Sequence, residues 1–92
     1  MSDDWIVYIL KCSDGSYYTG ITKNLAKRLG CHNDGKASKY TRARLPVQVL
    51  IYRYGFTKSE ALKLEIKIKK QKKNNKVSYL ENYSKIKENN AI

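Results

Sequence analysis

The stretch Trp5–Thr22, WIVYILKCSDGSYYTGIT, decides how this chain folds. Two apolar runs, each carrying tyrosine, flank Ser13-Asp14-Gly15. Aromatic and β-branched residues on both sides of Asp-Gly predict two antiparallel strands joined by a tight turn. The length of the turn sets which side chains share a face. A two-residue turn of Asp14 and Gly15 pairs Ser13 with Ser16 and sends Tyr8 and Tyr18 to opposite faces. A three-residue turn, with Gly15 left-handed, pairs Cys12 with Ser16, Leu10 with Tyr18 and Tyr8 with Gly20, so both phenols lie on one face. The second register is the favoured one. It predicts a gap at Gly20, opposite Tyr8, where a bulky substrate group can approach. Taken alone, paired tyrosines are more often simply good strand residues.

Working outward, Thr22–Asn33 reads as a short helix that Asn24 or Thr22 can cap, with Gly35 just beyond its end. Helical spacing makes Leu25 and Leu29 its buried stripe. Arg28 and His32 lie one turn apart along an edge of that stripe, which predicts that they face a groove beside the sheet. The plain alternatives are a surface arginine and a helix-end histidine favoured by the dipole. Asp34–Pro46 is a basic loop in which Lys36, Lys39, Arg42 and Arg44 surround Tyr40 and Thr41. Cations interleaved with an aromatic ring suit a phosphate backbone and a stacked or unpaired base; the alternative is a solvated loop. Val47–Tyr54 predicts a third strand, apolar on both faces, well covered in the sheet and ended by Gly55.

Thr57–Lys73 is the clearest helix, opened by a Thr57/Glu60 capping box. Its apolar arc contains Ala61, Leu62, Leu64, Ile66 and Ile68, and Glu65 falls near the middle of it. A carboxylate against apolar packing costs several kcal/mol unless it is paired or binds metal. Glu65 is therefore the strongest hint of a site read from the residues alone. The alternative is an ion pair with Lys69, four residues on. Ser78 and Glu81 suggest a second capping box before Leu80, Tyr83 and Ile86, hence a short terminal helix, with Glu88–Ile92 fraying.

The chain has 92 residues, which predicts one domain over 1–92: a core of about 5–73 and a basic helical extension over 74–92. Lys+Arg number 19 against Asp+Glu 8, a formal charge of +11, which points to a polyanionic partner. No apolar run approaches the ~20 residues of a membrane span. The acidic start MSDDW lacks the pattern of a secretion signal, so the cytoplasm is expected. Cys12 and Cys31 have no metal-type spacing and read as two reduced, partly buried thiols.

Ile6-Val7-Tyr8 followed by Tyr18-Thr19-Gly20, then Arg28 and His32, the run HNDGKASKYTRARLP over His32–Pro46, and Ser59-Glu60-Ala61-Leu62 leading to Glu65 and Lys69-Lys70 resemble the GIY-YIG nuclease superfamily in its small stand-alone bacterial form. The likeness covers roughly residues 5–73, and the ordered set is specific. It implies an α+β fold, a small three-stranded antiparallel sheet flanked by helices. It also implies a divalent-metal-dependent endonuclease acting on DNA rather than RNA, on branched, nicked or single-stranded forms, with a place in repair or recombination. The implied catalytic residues are Tyr8 as general base for water, Tyr18 positioning water or phosphate, Arg28 clamping a phosphate oxygen, and His32 relaying a proton or binding phosphate. Glu65 would hold one Mg²⁺ or Mn²⁺ ion. A free tyrosine has a pKa of about 10, so Tyr8 as base needs Arg28 and the metal to lower it. Nucleic-acid contacts fall to Lys36, Lys39, Tyr40, Arg42, Arg44, Lys69 and Lys70. A protein partner supplying specificity is expected, and a monomer is favoured. The polar ending NNKVSYLENY departs from the arginine- and leucine-rich ending of the family, and none of Asn74, Asn75 and Asn82 fits a site pattern. Two other classes stay open: a non-catalytic nucleic-acid-binding module retaining the inherited site, and a protein-interaction domain.

Overall fold

The structure is a computed structural model that describes residues 3–90, the side chains of 84–90 excepted. The elements run β1 Trp5–Lys11, β2 Tyr17–Thr22, α1 Leu25–Asn33, α2 Lys39–Arg42, β3 Gln48–Phe56, α3 Lys58–Lys69 and α4 Lys73–Asn90. The strands form an antiparallel sheet of order β2-β1-β3 with helices on both faces, which is the α+β architecture expected.

The hairpin takes the three-residue turn. Gly15 N donates to Cys12 O at 2.9 Å, Cys12 N donates to Ser16 O at 2.8 Å, and Gly15 has φ +85°. Leu10 therefore pairs with Tyr18 and Tyr8 with Gly20. Asp14 reinforces the turn by accepting from the Ser16 amide at 3.0 Å and the Ser16 hydroxyl at 2.6 Å. Those bonds, ahead of the Arg44 charge, hold its carboxyl below the usual carboxylate range.

β1 is buried because it is central and covered on both sides. On one face Val7 and Ile9 join Phe56, Ala61, Leu64, Ile68 and Leu80 under α3 and α4. On the other, Tyr8, Leu10, Cys12 and Val47 pack with Leu25, Leu29 and Leu45, beneath α1. Full burial of each large aliphatic side chain contributes roughly 1.5–3 kcal/mol. Leu80 is fully buried, and Val77, Tyr79 and Tyr83 pack against the same core, so α4 is fastened to the sheet. The expectations for Ile86 and for Glu88–Ile92 rest partly on residues or side chains outside those described.

Several boundaries differ from expectation for reasons visible in the packing. β3 is an edge strand, not a covered one. Leu50, Tyr52 and Tyr54 are 39%, 46% and 75% exposed. β1 has only two edges, and the hairpin gives one to β2, so β3 pairs with the other and ends the sheet. Its register shifts at Leu50 and again at Gly55, where φ is +94°, and the strand continues through that bulge to the buried Phe56. Bulges of this kind twist an open edge and discourage pairing with other chains. α1 starts at Leu25, because Asn24 Oδ1 accepts from Lys27 N at 3.1 Å while Thr22 Oγ1 accepts from Asn24 N. α3 stops at Lys69, and the Lys76 ammonium caps the Ile68 and Lys69 carbonyls at 3.2 and 3.3 Å. α4 starts at Lys73, and Ser78 bonds Asn75 O inside it instead of capping it. The basic loop contains a single helical turn, α2, whose N-cap Ser38 accepts from Tyr40 N.

Candidate active site

The Tyr8 side chain lies across Gly20. A Cβ at Gly20 would sit 2.5 Å from the Tyr8 hydroxyl oxygen and 2.6 Å from its Cζ. The expected gap for substrate is thus filled by the phenol itself, and the glycine is what lets the ring lie there. The hydroxyl is 3.0 Å from His32 Nε2. His32 Nδ1 is 2.8 Å from Thr41 Oγ1, which in turn donates to Ser38 O at 3.3 Å. Thr41 has one hydroxyl hydrogen. If that hydrogen goes to the carbonyl, His32 must donate from Nδ1, so Nε2 is bare and accepts from Tyr8. The network sets a direction: Tyr8 O–H to His32 Nε2, His32 Nδ1–H to Thr41, Thr41 O–H to backbone. The His32 tautomer is inferred from this network.

His32 and Thr41 are fully buried and Tyr8 is 1% exposed. This corrects the expectation of a histidine facing a groove: His32 is the buried residue of α1, while Leu25 and Leu29 are only half-buried. A histidine can be buried there because both ring nitrogens have partners. Tyr18 packs edge-on to His32 at 5.1 Å between centroids and lies 6.5 Å from Tyr8. Arg28 reaches the same place. Its guanidinium lowers the pKa of the Tyr8 phenol, while its Nε is buried without a protein acceptor. An unsatisfied buried donor costs about 1–3 kcal/mol, and an oxyanion would satisfy it.

The protonation states follow from burial. Desolvation pushes the Tyr8 phenol from 10.0 up to about 12; Arg28 pulls down, while the charges of Tyr18 and Glu65 add to the rise. The lowering expected from Arg28 is present, but losing water outweighs that one cation. Burial, and then the Arg28 charge, lowers the His32 pKa, so His32 is neutral at physiological pH.

Glu65 enters from α3, which packs along β1 and β2. Its charge is the smallest of the effects on the Tyr8 phenol. The Glu65 side chain is 18% exposed and pairs with Lys69 Nζ at 3.4 Å. Ala61, Leu64 and Ile68 are buried but Leu62 and Ile66 are 40% and 52% exposed, so Glu65 borders the apolar stripe and is not at its middle. Among the described residues no three His, Cys, Asp or Glu side chains gather as a metal-ligand cluster. A single, partly exposed carboxylate fits a hard cation that keeps most of its waters, such as Mg²⁺ or Mn²⁺, and does not fit a closed zinc site.

The cations expected to contact nucleic acid divide by position. Lys69 borders a hollow with Tyr17, Tyr18, Thr19, Tyr40 and Lys76. Lys36, Lys39 and Arg42 surround a separate depression on the basic loop, and Lys70 caps α3 in the open. Arg44 has another task. Its Nε bonds Asp14 Oδ2 at 3.0 Å, its NH1 donates to Tyr40 O at 2.9 Å, and its guanidinium stacks 3.9 Å over the Tyr40 ring. It clamps the loop onto the hairpin turn, where Ser13 N also bonds Arg44 O. Sequence reasoning did not single out Thr41 or Asn33, whose side-chain amide ties α1 to both backbone groups of Val47. Neither carries a spacing signal, since each partner is distant in sequence.

A central hairpin carries two tyrosines, a flanking helix an arginine and a histidine, and a second helix a carboxylate, on a three-stranded antiparallel sheet with flanking helices. The chain matches the GIY-YIG catalytic domain over residues 4–88 and belongs to that family of nucleases. Its relatives are small bacterial UPF0213 proteins. One from Bacillus licheniformis is 51% identical over 74 residues, 80% of this chain and 76% of its own length. One from Streptococcus pyogenes serotype M5 is 44% identical over 84 residues, 90% and 91% of the two chains. Among solved structures, the solution structure of an E. faecalis protein superposes with TM-score 0.60 at 36% identity, covering 91% of this chain and 92% of that one. That of a Bacillus halodurans UPF0213 protein gives 0.53 at 35%, covering 86% and 84%. Among the described residues no helix is long and apolar enough to cross a membrane.

Proposed function

We propose that this protein is a divalent-metal-dependent endonuclease that hydrolyses phosphodiester bonds in DNA. The observation that supports it is the 3.0 Å contact between the Tyr8 hydroxyl and Nε2 of the buried His32, read with Tyr8 as donor, beside an Arg28 with an unsatisfied donor. With a pKa near 12, Tyr8 holds its proton at neutral pH and is a base only if it can pass that proton on. His32 Nε2 is the acceptor in place. Water gives a proton to the Tyr8 oxygen as Tyr8 gives its own to Nε2, and the resulting hydroxide attacks phosphorus. The P–O bond to the 3′-oxygen breaks, leaving a 5′-phosphate and, after protonation from solvent, a 3′-hydroxyl. No free phenolate has to accumulate. Arg28 binds a non-bridging oxygen and neutralises the charge that develops there. Tyr18 orients water or phosphate from the same face. Glu65 would hold one Mg²⁺ or Mn²⁺, which supplies Lewis-acid stabilisation of the leaving oxygen. With this reading go a cytoplasmic monomer, a branched, nicked or single-stranded substrate, a partner protein that adds specificity, and a role in repair or recombination.

The second reading is a non-catalytic nucleic-acid-binding module, favoured by the Glu65–Lys69 pair and the raised Tyr8 pKa. A plasmid-nicking assay with Mg²⁺ or Mn²⁺ on wild type, Tyr8→Phe and Glu65→Ala separates the two. Loss of cutting in both variants with DNA binding retained is expected. Equal residual cutting in all three would overturn the nuclease reading.

A further inference from the structure

Beside the candidate active site lies a hollow of about 270 Å³ bordered by Tyr17, Tyr18, Thr19, Tyr40, Lys69 and Lys76. Tyr17, Tyr18 and Thr19 are consecutive in β2, where neighbouring side chains point to opposite faces. Since all three border it, the hollow lies off the outer edge of β2. No described strand pairs with that edge, so its amides and carbonyls remain available as donors and acceptors. The loop contributes Tyr40, which is 38% exposed and lies 6.2 Å from the Tyr18 ring at a 30° tilt. Arg44 props the Tyr40 ring from its own side and is itself anchored to Asp14. The ring is thus held ready before any ligand arrives. At the other wall Lys69 is 54% exposed, and its ammonium is the one paired with Glu65. The hollow therefore adjoins the acid proposed to hold metal, and Tyr18 is shared by both places.

We infer that this hollow seats one unstacked nucleobase next to the phosphate to be cut, with the rings of Tyr40 and Tyr18 bordering the base and Lys69 on its phosphate. This deepens the nuclease reading and rests on it for the position of the scissile bond. Size favours a single base: ligand pockets run from about 300 to 1,000 Å³, and this one falls just below that range. An intact duplex cannot offer an isolated base, so the nucleotide here is unpaired or turned out of its helix. Aromatic rings with a flanking ammonium and a strand edge suit a base without strong sequence preference, because every base has a π-face.

The test uses the full chain in EDTA, so that cutting plays no part. The probes are short single-stranded oligothymidylates with 2-aminopurine, or an abasic residue, at each position in turn. One position is expected to show the largest fluorescence change on binding, and an abasic residue there is expected to weaken binding by about 5- to 100-fold. Tyr40→Phe keeps that position-specific penalty and Tyr40→Leu removes it. Lys69→Met, on an exposed side chain, lowers the slope of log K against log salt by about 0.7, one phosphate contact on a single strand. Equal binding of every abasic probe to the wild-type chain would overturn the inference, as would Tyr40→Leu weakening intact and abasic probes alike. A base signal without any metal-dependent cutting would instead remove the hydrolytic reading and leave the base site standing.

Discussion

Thr41→Val is the substitution that isolates the proton relay from everything else in the site. Valine matches threonine in shape, and Thr41 is fully buried and touches no solvent. The change removes one hydroxyl, the group 2.8 Å from His32 Nδ1. Two outcomes are open to the imidazole. If it keeps its proton on Nδ1, a buried N–H loses its acceptor, which costs about 1–3 kcal/mol. If it moves the proton to Nε2, Tyr8 faces a donor and can no longer hand over its own hydrogen. A tautomer bias of that size converts to about 5- to 150-fold in rate. Stability falls by a similar free energy, a drop in Tm of roughly 4–24 °C for a domain of this length. Metal-dependent nicking below the melting range measures the first effect and urea unfolding the second. Thr41→Ser keeps the hydroxyl and is expected to restore most of the rate. Histidine ¹⁵N shifts report the tautomer directly and should move from Nδ1–H toward Nε2–H in the valine variant. Wild-type cutting by Thr41→Val, or Thr41→Ser as slow as Thr41→Val, would refute the directed relay.

The other expectations test the packing around that relay. Gly20→Ala places a methyl group on the Tyr8 phenol, whose ring is buried and bonded to His32, so a cost of about 1–3 kcal/mol and at least a tenfold fall in nicking are expected; a variant as active and stable as wild type would show that the ring moves freely. Tyr8 is raised from 10.0 to about 12, so its contribution is intact below pH 10 and is lost as pH climbs from 10 to 12, on the order of 3 kcal/mol; Tyr8→Phe should flatten that part of the urea-midpoint profile. His32 is lowered, so the unfolded chain takes up the proton first and stability drops as pH falls below about 6.5, a slope that His32→Gln should remove. Leu80→Ala should cost about 2–5 kcal/mol in chemical denaturation, and a loss near zero would mean that α4 does not share the sheet's core.

The hairpin was legible because its instructions are local. Asp-Gly marks the turn, its three-residue form sets the register, and the register alone sets Tyr8 opposite Gly20 and Tyr18 beside Leu10. The helix caps at Asn24 and Thr57 were legible for the same reason. What escaped depends on partners far away in sequence. Nothing in Val47–Tyr54 says that no fourth strand will cover it, so an edge strand with exposed Tyr52 and Tyr54 reads like a central one. His32 looks like any histidine near a helix end until Thr41 and Tyr8 arrive from a loop and a strand to satisfy both nitrogens. The bonds that tie Arg44 to Asp14 and stack it on Tyr40 are equally invisible in the loop's own sequence. For the Tyr8 pKa the sequence displays the cation that lowers it, Arg28, but not the burial that outweighs that cation.

At rest the two protonic groups are both neutral: burial keeps Tyr8 so against the pull of Arg28, and burial together with the Arg28 charge keeps His32 so. That charge lowers the His32 pKa, which works against a relay that must end with a proton on His32. A phosphate diester changes that balance, since it carries the negative charge that the Arg28 guanidinium, with its unsatisfied Nε, can bind. Once paired, Arg28 no longer opposes a second positive charge nearby, and the phosphate itself favours one. Substrate binding is therefore expected to raise the His32 pKa at the moment the proton must be accepted, while the empty site stays neutral and folded. An NMR titration of His32 with and without a saturating, non-cleavable dinucleotide phosphonate, metal omitted, measures this. An upward shift on binding, absent in Arg28→Met, is the expected result; a downward shift or none, with the dinucleotide demonstrably bound, would show that Arg28 and His32 do not act on the same phosphate.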